Sequence, residues 1–336
     1  MVVAGIVCMV LILSFGRILN GVPHFVVPPG WPKPVYNFEH NPITGAGARL
    51  GRKLFFDPLL SADGSISCGS CHAQARCFAQ DSRLGSGMRG QRGSRNATAL
   101  VNLAWSNTFM WDGGVNNLEV QPLNPITNPA EMGSKLTDVV TRLNSMPRYR
   151  AMCYEAFNDS VVTAPRLLKA LAQFTLLLQS YNAKYDRVMR HEPGQIFTKQ
   201  EQRGYVLFKT YCATCHTEPL FTNNSFRNNG LPVTGATPDV GRMKVTGDAA
   251  DSLLFKVPTL RNIEVSGPYM HDGRFATLDE VMMHYSAGIV HGPALSGELA
   301  GGMRLSARDR HDIVSFLRTL TDSVFLNDPQ LGCGGD

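Results

Sequence analysis

Two short runs of the sequence carry residue types that bind haem: Cys68-Gly-Ser-Cys71-His72 and Cys212-Ala-Thr-Cys215-His216. A Cys-x-x-Cys-His run is typical of c-type haem attachment, because two thiols can reach the two vinyl groups of one porphyrin. The adjacent imidazole then takes the proximal position on the iron. The alternative is a pair of disulfide or zinc motifs followed by incidental histidines. Because each half of the chain has one such run near its start, we predict a di-haem cytochrome.

Composition limits the other possibilities. The chain has 336 residues, 43% of them apolar and 18% charged, which is typical of a globular protein with room for two domains. The formal net charge of +5 is modest, and no Lys/Arg cluster is interleaved with aromatic residues. The sequence therefore gives little support to nucleic-acid binding and is compatible with an acidic protein partner.

Residues 1–20 contain an apolar run from Val2 to Phe15. The run is short for a membrane span and has the length of a signal-peptide core, although a basic segment before it is missing. We predict a signal peptide or an uncleaved anchor, which would be the protein's one link to a membrane. Export to the periplasm fits the haem motifs, since c-type haem is attached outside the bacterial inner membrane.

Four cysteines lie outside the haem motifs: Cys8, Cys77, Cys153 and Cys333. Cys8 falls within the apolar leader and has no lipoprotein signal around it. In an oxidising compartment Cys77 and Cys153 could form a disulfide, and a buried free thiol is the alternative.

Periodicity predicts a mostly α protein. Apolar residues recur at helical spacing from Ala164 to Met189, and the sequence His191-Glu-Pro-Gly194 then breaks the chain. We place the domain boundary there, between residues 21–190 and 191–336. Residues 21–42 are rich in Pro and Gly and predict an extended segment, with regular structure beginning near Ala46, and residues 73–96 predict a long loop over a cofactor.

Capping boxes mark three helix starts in the second half: Thr198 with Glu201, Thr277 with Glu280, and Ser306 with Asp309. The first of these helices delivers Cys212 just past its end. Helix, haem motif, long loop and closing helix thus recur, which indicates two cytochrome c-type domains, each holding one covalently bound haem.

The sixth ligand of each iron decides the chemistry. No histidine occurs between His72 and His191, and the loop after the first motif offers Met88 as a strong ligand. If Met88 does not bind, the first iron is open to hydrogen peroxide; if it binds, the centre only transfers electrons.

On the helix opened by Thr277, an apolar face of Leu278, Val281 and Met282 also places Tyr285 inward, while His284 points about 100° away. The residue pattern leaves four candidates for the second iron: Tyr285, Met282, Met283 and His284.

From about Leu50 to Leu320 the sequence resembles the bacterial di-haem cytochrome c peroxidases and their relative MauG, which oxidises tryptophans in a partner protein. The matching segments are LGRKLFFDPLLSADGSISCGSCH, RNATALVN, MWDGG, LEVQPLNPITNPAEMG, CATCH, VPTLRNIEVSGPYMHDG and LDEVMMHYSAG.

The resemblance implies roles for single residues. Trp111 would lie between the haems as an electron relay, Glu131 would be the acid–base group in the peroxide pocket, and Gln121 would hold the peroxide by a hydrogen bond. It also implies a calcium ion between the domains, bound by oxygens of three residues, and a family histidine of less clear role near the second haem. The calcium residues are Asn96, Ser266 and Pro268, and the histidine is His271.

Two departures from ordinary peroxidases select the subclass. Their histidine in the loop after the first haem motif is absent here, and Met88 stands near that position. Fourteen residues after His271, where they have methionine, this chain has Tyr285, as MauG does. A phenolate is a hard, anionic donor that favours ferric and higher iron over ferrous.

The resemblance therefore implies a periplasmic enzyme that uses hydrogen peroxide to form a high-valent di-haem state and oxidises Trp or Tyr of a partner protein over a long distance. The alternative is a peroxidase that reduces hydrogen peroxide with electrons from a small cytochrome or cupredoxin. A third possibility is a di-haem cytochrome that transfers electrons without peroxide chemistry.

Overall fold

The computed structural model describes residues 24–235, 238–292 and 294–334. Over these residues the protein is mostly α-helical, as predicted. The helices are α1 (Gly45–Phe56), α2 (Cys68–Cys71), α3 (Leu123–Thr127), α4 (Leu136–Asn144), α5 (Pro147–Phe157), α6 (Ala164–Leu176), α7 (Lys184–Met189), α8 (Lys199–Tyr211), α9 (Met243–Thr246), α10 (Leu278–Met283), α11 (Ala307–Arg318) and α12 (Ser323–Asn327).

In the part of the chain that the structure describes, regular sheet is limited to one antiparallel pair of two-residue strands, β1 (Phe226–Arg227) and β2 (Phe255–Lys256). In its register Phe226 lies opposite Lys256. Among the described residues no helix is both long and apolar enough to span a membrane. The predicted leader, residues 1–20 with Cys8, lies outside the described residues.

The first half is organised by the crossing of α1 and α6. Thr44 caps α1, and Leu50 and Leu54 of its buried face pack in one hydrophobic cluster with Phe174 of α6. The two backbones approach closely at Gly51, where a Cβ atom would lie 1.9 Å from the carbonyl oxygen of Ala170. Only glycine allows this contact without a shift of one helix.

The second half repeats this arrangement with α8 and α11. The predicted capping boxes at Thr198 and Ser306 are both formed. At the crossing, a Cβ atom on Gly204 would lie 1.9 Å from the carbonyl oxygen of Asp312. Phe208 and Phe316 form the centre of the second hydrophobic cluster.

The prediction of one helix over Ala164–Met189 is wrong. α6 ends at Leu176, and α7 begins only at Lys184. The segment between them is buried, and its backbone hydrogen bonds go to distant side chains. The amide nitrogens of Tyr181 and Asn182 donate to the carboxylate of Asp322 at 3.1 and 2.9 Å. Such tertiary bonds replace the helical ones that the apolar periodicity favoured.

Two terminal segments pack on the first half. The extended stretch before α1, predicted from its Pro and Gly content, places Phe25 and Trp31 against Trp105. At the other end, Phe325 and Leu331 join the first hydrophobic cluster. The domain boundary between residues 190 and 191 stays a prediction. Phe325 and Leu331, although they follow that boundary, contact the first half.

Candidate active site

The first Cys-x-x-Cys-His run forms the short helix α2, followed directly by His72. The Nδ1 atom of His72 lies 2.6 Å from the carbonyl oxygen of Phe78, so Nδ1 donates the hydrogen and Nε2 is left without it. Burial lowers the pKa of His72 and keeps the imidazole neutral. A neutral ring held through one nitrogen has the arrangement of a metal ligand.

The second run begins where α8 ends, at Cys212. Here the Nδ1 atom of His216 lies 3.1 Å from the carbonyl oxygen of Phe221, and burial again lowers the pKa of the imidazole. The two histidines therefore have equivalent local settings, and each leaves Nε2 available to an iron.

The thiols of both runs are free, and the disulfide interpretation finds no support. Cys77 and Cys153, which could have been paired, are buried free thiols, and Cys333 is an exposed one. Within the described ranges no group of three His, Cys, Asp or Glu side chains could hold a metal ion.

A cavity of about 300 Å³ adjoins the second run. Cys212, Cys215 and His216 line it, as does Tyr285. Burial raises the pKa of the Tyr285 phenol, and a hydrogen bond with Asn229 opposes the rise. The phenol is therefore neutral unless a cation displaces its proton.

The four candidate ligands of the second iron differ in their position relative to the cavity. Leu278, Val281, Met282 and Tyr285 line the cavity, as the apolar periodicity predicted. Met283 is 49% exposed, and the Nε2 atom of buried His284 lies 3.0 Å from the carbonyl oxygen of Asn229. Met283 and His284 do not line the cavity, whereas Tyr285 and Met282 both do.

Tyr285 belongs to a π-helical turn, His284–Gly288, which continues α10. The sequence analysis missed this turn, because a one-residue widening of a helix has no signal in apolar periodicity. Such turns occur often at functional sites. The analysis also missed Asn229, the hydrogen-bond partner of Tyr285.

Trp111 and Gln121 line the same cavity. The indole Nε1 of Trp111 donates to the carbonyl oxygen of Asn96 at 2.8 Å, which fixes the ring. The amide of Gln121 lies 3.7 Å from the sulfur of Met110, directly before Trp111. Residues of both halves thus line the cavity, and Trp111 is one of those from the first half.

Glu131 is placed near the first motif. Burial raises the pKa of the Cys68 and Cys71 thiols, and the negative charge of nearby Glu131 adds to the rise. The amide of Asn128 donates to its Oε1 atom at 2.8 Å. Burial raises the pKa of Glu131 above its ordinary value, and the hydrogen bond from Asn128 opposes part of this rise. A raised pKa suits a group that exchanges a proton. Glu131 is not among the residues that line the cavity with Gln121.

Met88 is held against the Glu131 loop. Its amide donates to the carbonyl oxygen of Glu131 at 2.9 Å. Its side chain fills the space beside Gly133, where a Cβ atom would lie 2.2 Å from the Met88 methyl carbon. The Met88 thioether thus packs on the loop that carries Glu131.

The three residues of the predicted calcium site lie at the same cavity as Tyr285. Asn96, Ser266 and Pro268 all line the cavity. The amide side chain of Asn96 donates to the carbonyl oxygens of Ser82 and Arg83, and its backbone N–H donates to the carbonyl oxygen of His271 at 2.8 Å. His271 stacks on Phe255 with ring centroids 3.7 Å apart.

Lys256 is a further cavity residue that the sequence analysis missed. Its ammonium donates to the carbonyl oxygen of Thr108 and lies 5.8 Å from the centre of the Phe109 ring. Burial lowers the pKa of Lys256 to about 8. No periodicity or motif distinguishes this lysine, because its burial depends on contacts between the two halves.

Comparisons with known proteins show which family the chain resembles. Residues 45–194 match the family model described as di-haem cytochrome c peroxidase. The methylamine utilization protein MauG of Methylorubrum extorquens is 36% identical over 306 residues, which cover 89% of this chain and 85% of that protein. The cytochrome c551 peroxidase of Nitrosomonas europaea is 36% identical over 281 residues, covering 82% and 79%.

The fold has a match among solved structures. A MauG-like protein associated with microbial copper homeostasis superimposes with a TM-score of 0.82 at 30% sequence identity. The match covers 92% of this chain and 98% of that one.

Proposed function

This chain belongs to the di-haem cytochrome c peroxidase family, the oxidoreductase family that includes MauG, and we propose that it is a MauG-like peroxidase of the periplasm. It would reduce hydrogen peroxide and take the electrons from tryptophan or tyrosine side chains of a partner protein. Residues 1–20 would direct export as a signal peptide or anchor.

The observation that carries the proposal is the place of Tyr285 in the cavity that Cys212, Cys215 and His216 also line. When bound, the haems supply the iron for peroxide binding and one-electron transfer. Cys68 and Cys71 would hold one haem covalently, and Cys212 and Cys215 the other. Tyr285 would give its proton to solvent on haem binding and act as an anionic oxygen donor, which disfavours ferrous iron.

The residues near the first motif would handle protons. Glu131, whose pKa is raised, would take the proton from one peroxide oxygen and deliver it to the other, departing oxygen. Asn128 would keep the Glu131 carboxyl group in place through its 2.8 Å hydrogen bond. Gln121 would orient the substrate, and Trp111 would relay electrons between the halves.

Two further assignments complete the proposal. Met88 would stay off the first iron, because its side chain fills the space beside Gly133. Oxygens of Asn96, Ser266 and Pro268 would bind a calcium ion at the edge of the cavity, since oxygen donors are those that calcium prefers. His271 would brace this region through its stacking on Phe255.

A second function, reduction of peroxide with electrons from a small cytochrome or cupredoxin, is favoured by one observation. Met282 lines the same cavity as Tyr285. A thioether ligand from Met282 would raise the potential of the second haem and make it an electron acceptor.

The variant Tyr285→Met separates the two functions. We expect it to keep both haems, to show a higher potential at the second haem, and to lose peroxide-dependent oxidation of a tryptophan-containing protein. Met283→Leu, at an exposed position on α10, is the matched control. A wild-type potential already in the range of methionine-ligated haem would overturn the proposal in favour of the second function.

Resting-state EPR tests the role of Met88. We expect a high-spin ferric signal from the first haem, because Met88 leaves one iron face open. If only low-spin signals appear, a purely electron-transferring cytochrome replaces the peroxidase.

A further inference from the structure

A buried ion pair lies against the loop that follows His216. The guanidinium of Arg261 donates to both carboxylate oxygens of Asp186, at 2.8 and 2.9 Å, and its Nε donates to the carbonyl oxygen of Pro219 at 2.9 Å. Arg261 is only 1% exposed. We infer that Arg261, anchored by Asp186, is a positioning residue that holds this loop and, through it, the imidazole of His216. This role rests on the proposed function, in which His216 binds an iron.

Three successive carbonyl oxygens of the loop accept hydrogen bonds from three successive residues of another segment. The pairs are Pro219 with the Arg261 side chain, Leu220 with the Thr259 hydroxyl at 2.6 Å, and Phe221 with the Leu260 amide at 3.2 Å. The last of these oxygens is also the acceptor for Nδ1 of His216, at 3.1 Å. The position of the Phe221 carbonyl group, and with it the hydrogen bond of His216, therefore depends on the segment that carries Arg261.

The loop after the first haem motif has a different support. There the amide of Phe78 donates back to the carbonyl oxygen of Ala73 at 2.8 Å, which closes the loop on itself. The Nδ1 atom of His72 lies 2.6 Å from the carbonyl oxygen of Phe78, compared with 3.1 Å for the corresponding contact of His216. The two proximal histidines thus form the same type of hydrogen bond, but only the second loop is tied to a buried arginine.

The repeated structure shows which residue of the first half corresponds to Arg261. The equivalent residues are Leu100 with Leu260, Val101 with Arg261, and Asn102 with Asn262. In each half the leucine amide donates to the carbonyl oxygen that the proximal histidine contacts, and the asparagine has positive φ. Val101 is 4% exposed and belongs to the first hydrophobic cluster. An apolar side chain therefore satisfies the fold at this position in the first half.

Stability alone does not explain the charged pair of the second half. Taking two charges out of water is costly, and a buried ion pair is often replaced by apolar side chains with no loss of stability. What Arg261 adds is a rigid fork of donors. Two of its nitrogens bind Asp186, which itself accepts from the amide of Ala183 at 2.8 Å, and the third binds Pro219. The pair therefore ties the loop to the start of α7.

The expected consequence for the iron follows from the His216 hydrogen bond. A hydrogen bond at Nδ1 raises the basicity of the imidazole as a metal ligand, and ligand strength is one property by which a protein sets the potential of a haem. Without Arg261 the Phe221 carbonyl group would lose its support, and its bond to His216 would weaken. A weaker ligand stabilises ferric iron less, so the reduction potential of the second haem would rise.

Spectroelectrochemistry of the holoprotein tests this role. The double variant Asp186→Asn/Arg261→Met removes both charges of the pair, so its net charge stays zero, and the asparagine oxygen can still accept from Ala183. We expect the potential of the second haem to rise and that of the first to stay unchanged. The matched control is Asp312→Asn/Arg203→Met, which removes an Arg–Asp pair of 2.8 Å between α8 and α11. It should leave both potentials at their wild-type values.

EPR of the oxidised proteins provides a second readout. The g values of the second haem report its ligand field, and they should change in Asp186→Asn/Arg261→Met but not in the control. A purely structural role would lower the free energy of unfolding and leave the potential and the g values as they are. An unchanged or lowered potential in the double variant overturns the inference.

Arg261→Lys decides the question if the double variant does not fold. It keeps the positive charge beside Asp186, but one ammonium group cannot reproduce the fork that also reaches Pro219. The potential of the second haem should therefore rise again, whereas a wild-type value would show that the charge alone matters and that no positioning is involved.

Addition of hydrogen peroxide to the same proteins separates this role from the proposed function. If the potential rises as expected but peroxide leaves the wild-type haem spectrum unchanged, Arg261 is a positioning residue and the peroxidase function is wrong. If peroxide changes the spectrum and the potential does not rise, the function stands without this role. If mass spectrometry finds no haem on Cys212 and Cys215 of the wild-type protein, both are wrong.

Discussion

In the first half of the molecule α1 crosses α6 at Gly51, and in the second half α8 crosses α11 at Gly204. At each glycine an added Cβ atom would lie only 1.9 Å from a backbone carbonyl oxygen of the other helix. After each haem motif the histidine Nδ1 meets the carbonyl oxygen of a phenylalanine with positive φ, at 52° for Phe78 and 55° for Phe221. The two halves thus hold their proximal histidines by the same local structure.

The resemblance extends to a turn in each half, Met110–Gly113 and Met270–Gly273. Both methionines have positive φ, 68° and 72°, and both turns are closed by a backbone hydrogen bond from the residue before the methionine, 2.7 Å long. The halves exchange contacts at these turns. The amide of Lys256 donates to the carbonyl oxygen of Trp111, and the amide of Asn96 donates to that of His271.

The two halves differ in the side chains that these shared helices and turns hold. The turn of the first half presents Trp111 and that of the second half His271. Near the first motif stands the carboxyl group of Glu131, while Tyr285 borders the cavity of the second. In the proposed function the repeated helices and turns would position the metal ligands, and the segments that follow would determine the reaction. The first half would then move protons, and the second would stabilise oxidised iron.

The change Glu131→Gln should have the largest effect. Without a group that transfers the peroxide proton, we expect turnover of hydrogen peroxide to fall by roughly 10² to 10⁴-fold. Glu155→Gln, at an exposed carboxylate of the same half, should leave turnover unchanged. Stopped-flow measurement of peroxide consumption checks this. If turnover falls equally in both variants, proton transfer does not depend on the pocket at the first motif.

Equal destabilisation of both halves is the second expectation. A methyl group added by Gly51→Ala or Gly204→Ala must push one helix from the other, because each would face a backbone carbonyl. We expect each change to lower the free energy of unfolding by about 1–3 kcal/mol, as overpacked cores do.

The control for these glycine variants is Gly301→Ala, where no atom lies within 4 Å of the added carbon. It should leave the free energy of unfolding, measured with urea, close to the wild-type value. A cost in one half only would mean that the two crossings are not equivalent in the folded protein.

Local signals predicted much of this architecture, and long-range contacts account for what was missed. The haem motifs, the capping boxes and the inward face with Tyr285 depend on residues a few positions apart, which the sequence displays directly. The break after Leu176 and the burial of Lys256 depend on partners more than a hundred residues away.

The third prediction concerns pH. Glu131 must begin as a carboxylate to accept the peroxide proton, so activity falls as the pH drops through its pKa. Since burial raises this pKa, the acidic limb of the rate profile should lie above the range of an ordinary glutamate. Asn128→Ala removes the hydrogen bond that opposes the shift, and should move the limb further upward in pH.

A pH–rate profile of peroxide turnover in both proteins provides the measurement. The limb should disappear from the residual activity of Glu131→Gln. A limb that stays in place in Asn128→Ala would assign the titration to another group, and the first half would then lose its distinguishing acid–base residue.

The smallest expected effect concerns Lys256. Its backbone amide donates to the turn of the first half just as the amide of Asn96 donates to the turn of the second, but the Asn96 side chain is uncharged. Burial lowers the pKa of Lys256 to about 8 in the folded protein, whereas an unfolded lysine keeps its ordinary, higher pKa. Between these values the unfolded chain binds more protons, so the free energy of unfolding should rise with pH, by about 1 kcal/mol from pH 7 to pH 9. Lys256→Met should abolish this rise, and Lys244→Met, at an exposed position, should preserve it. If urea unfolding shows the same slope in all three proteins, Lys256 is compensated by a negative group in the holoprotein, and the two halves are electrostatically closer than their sequences suggest.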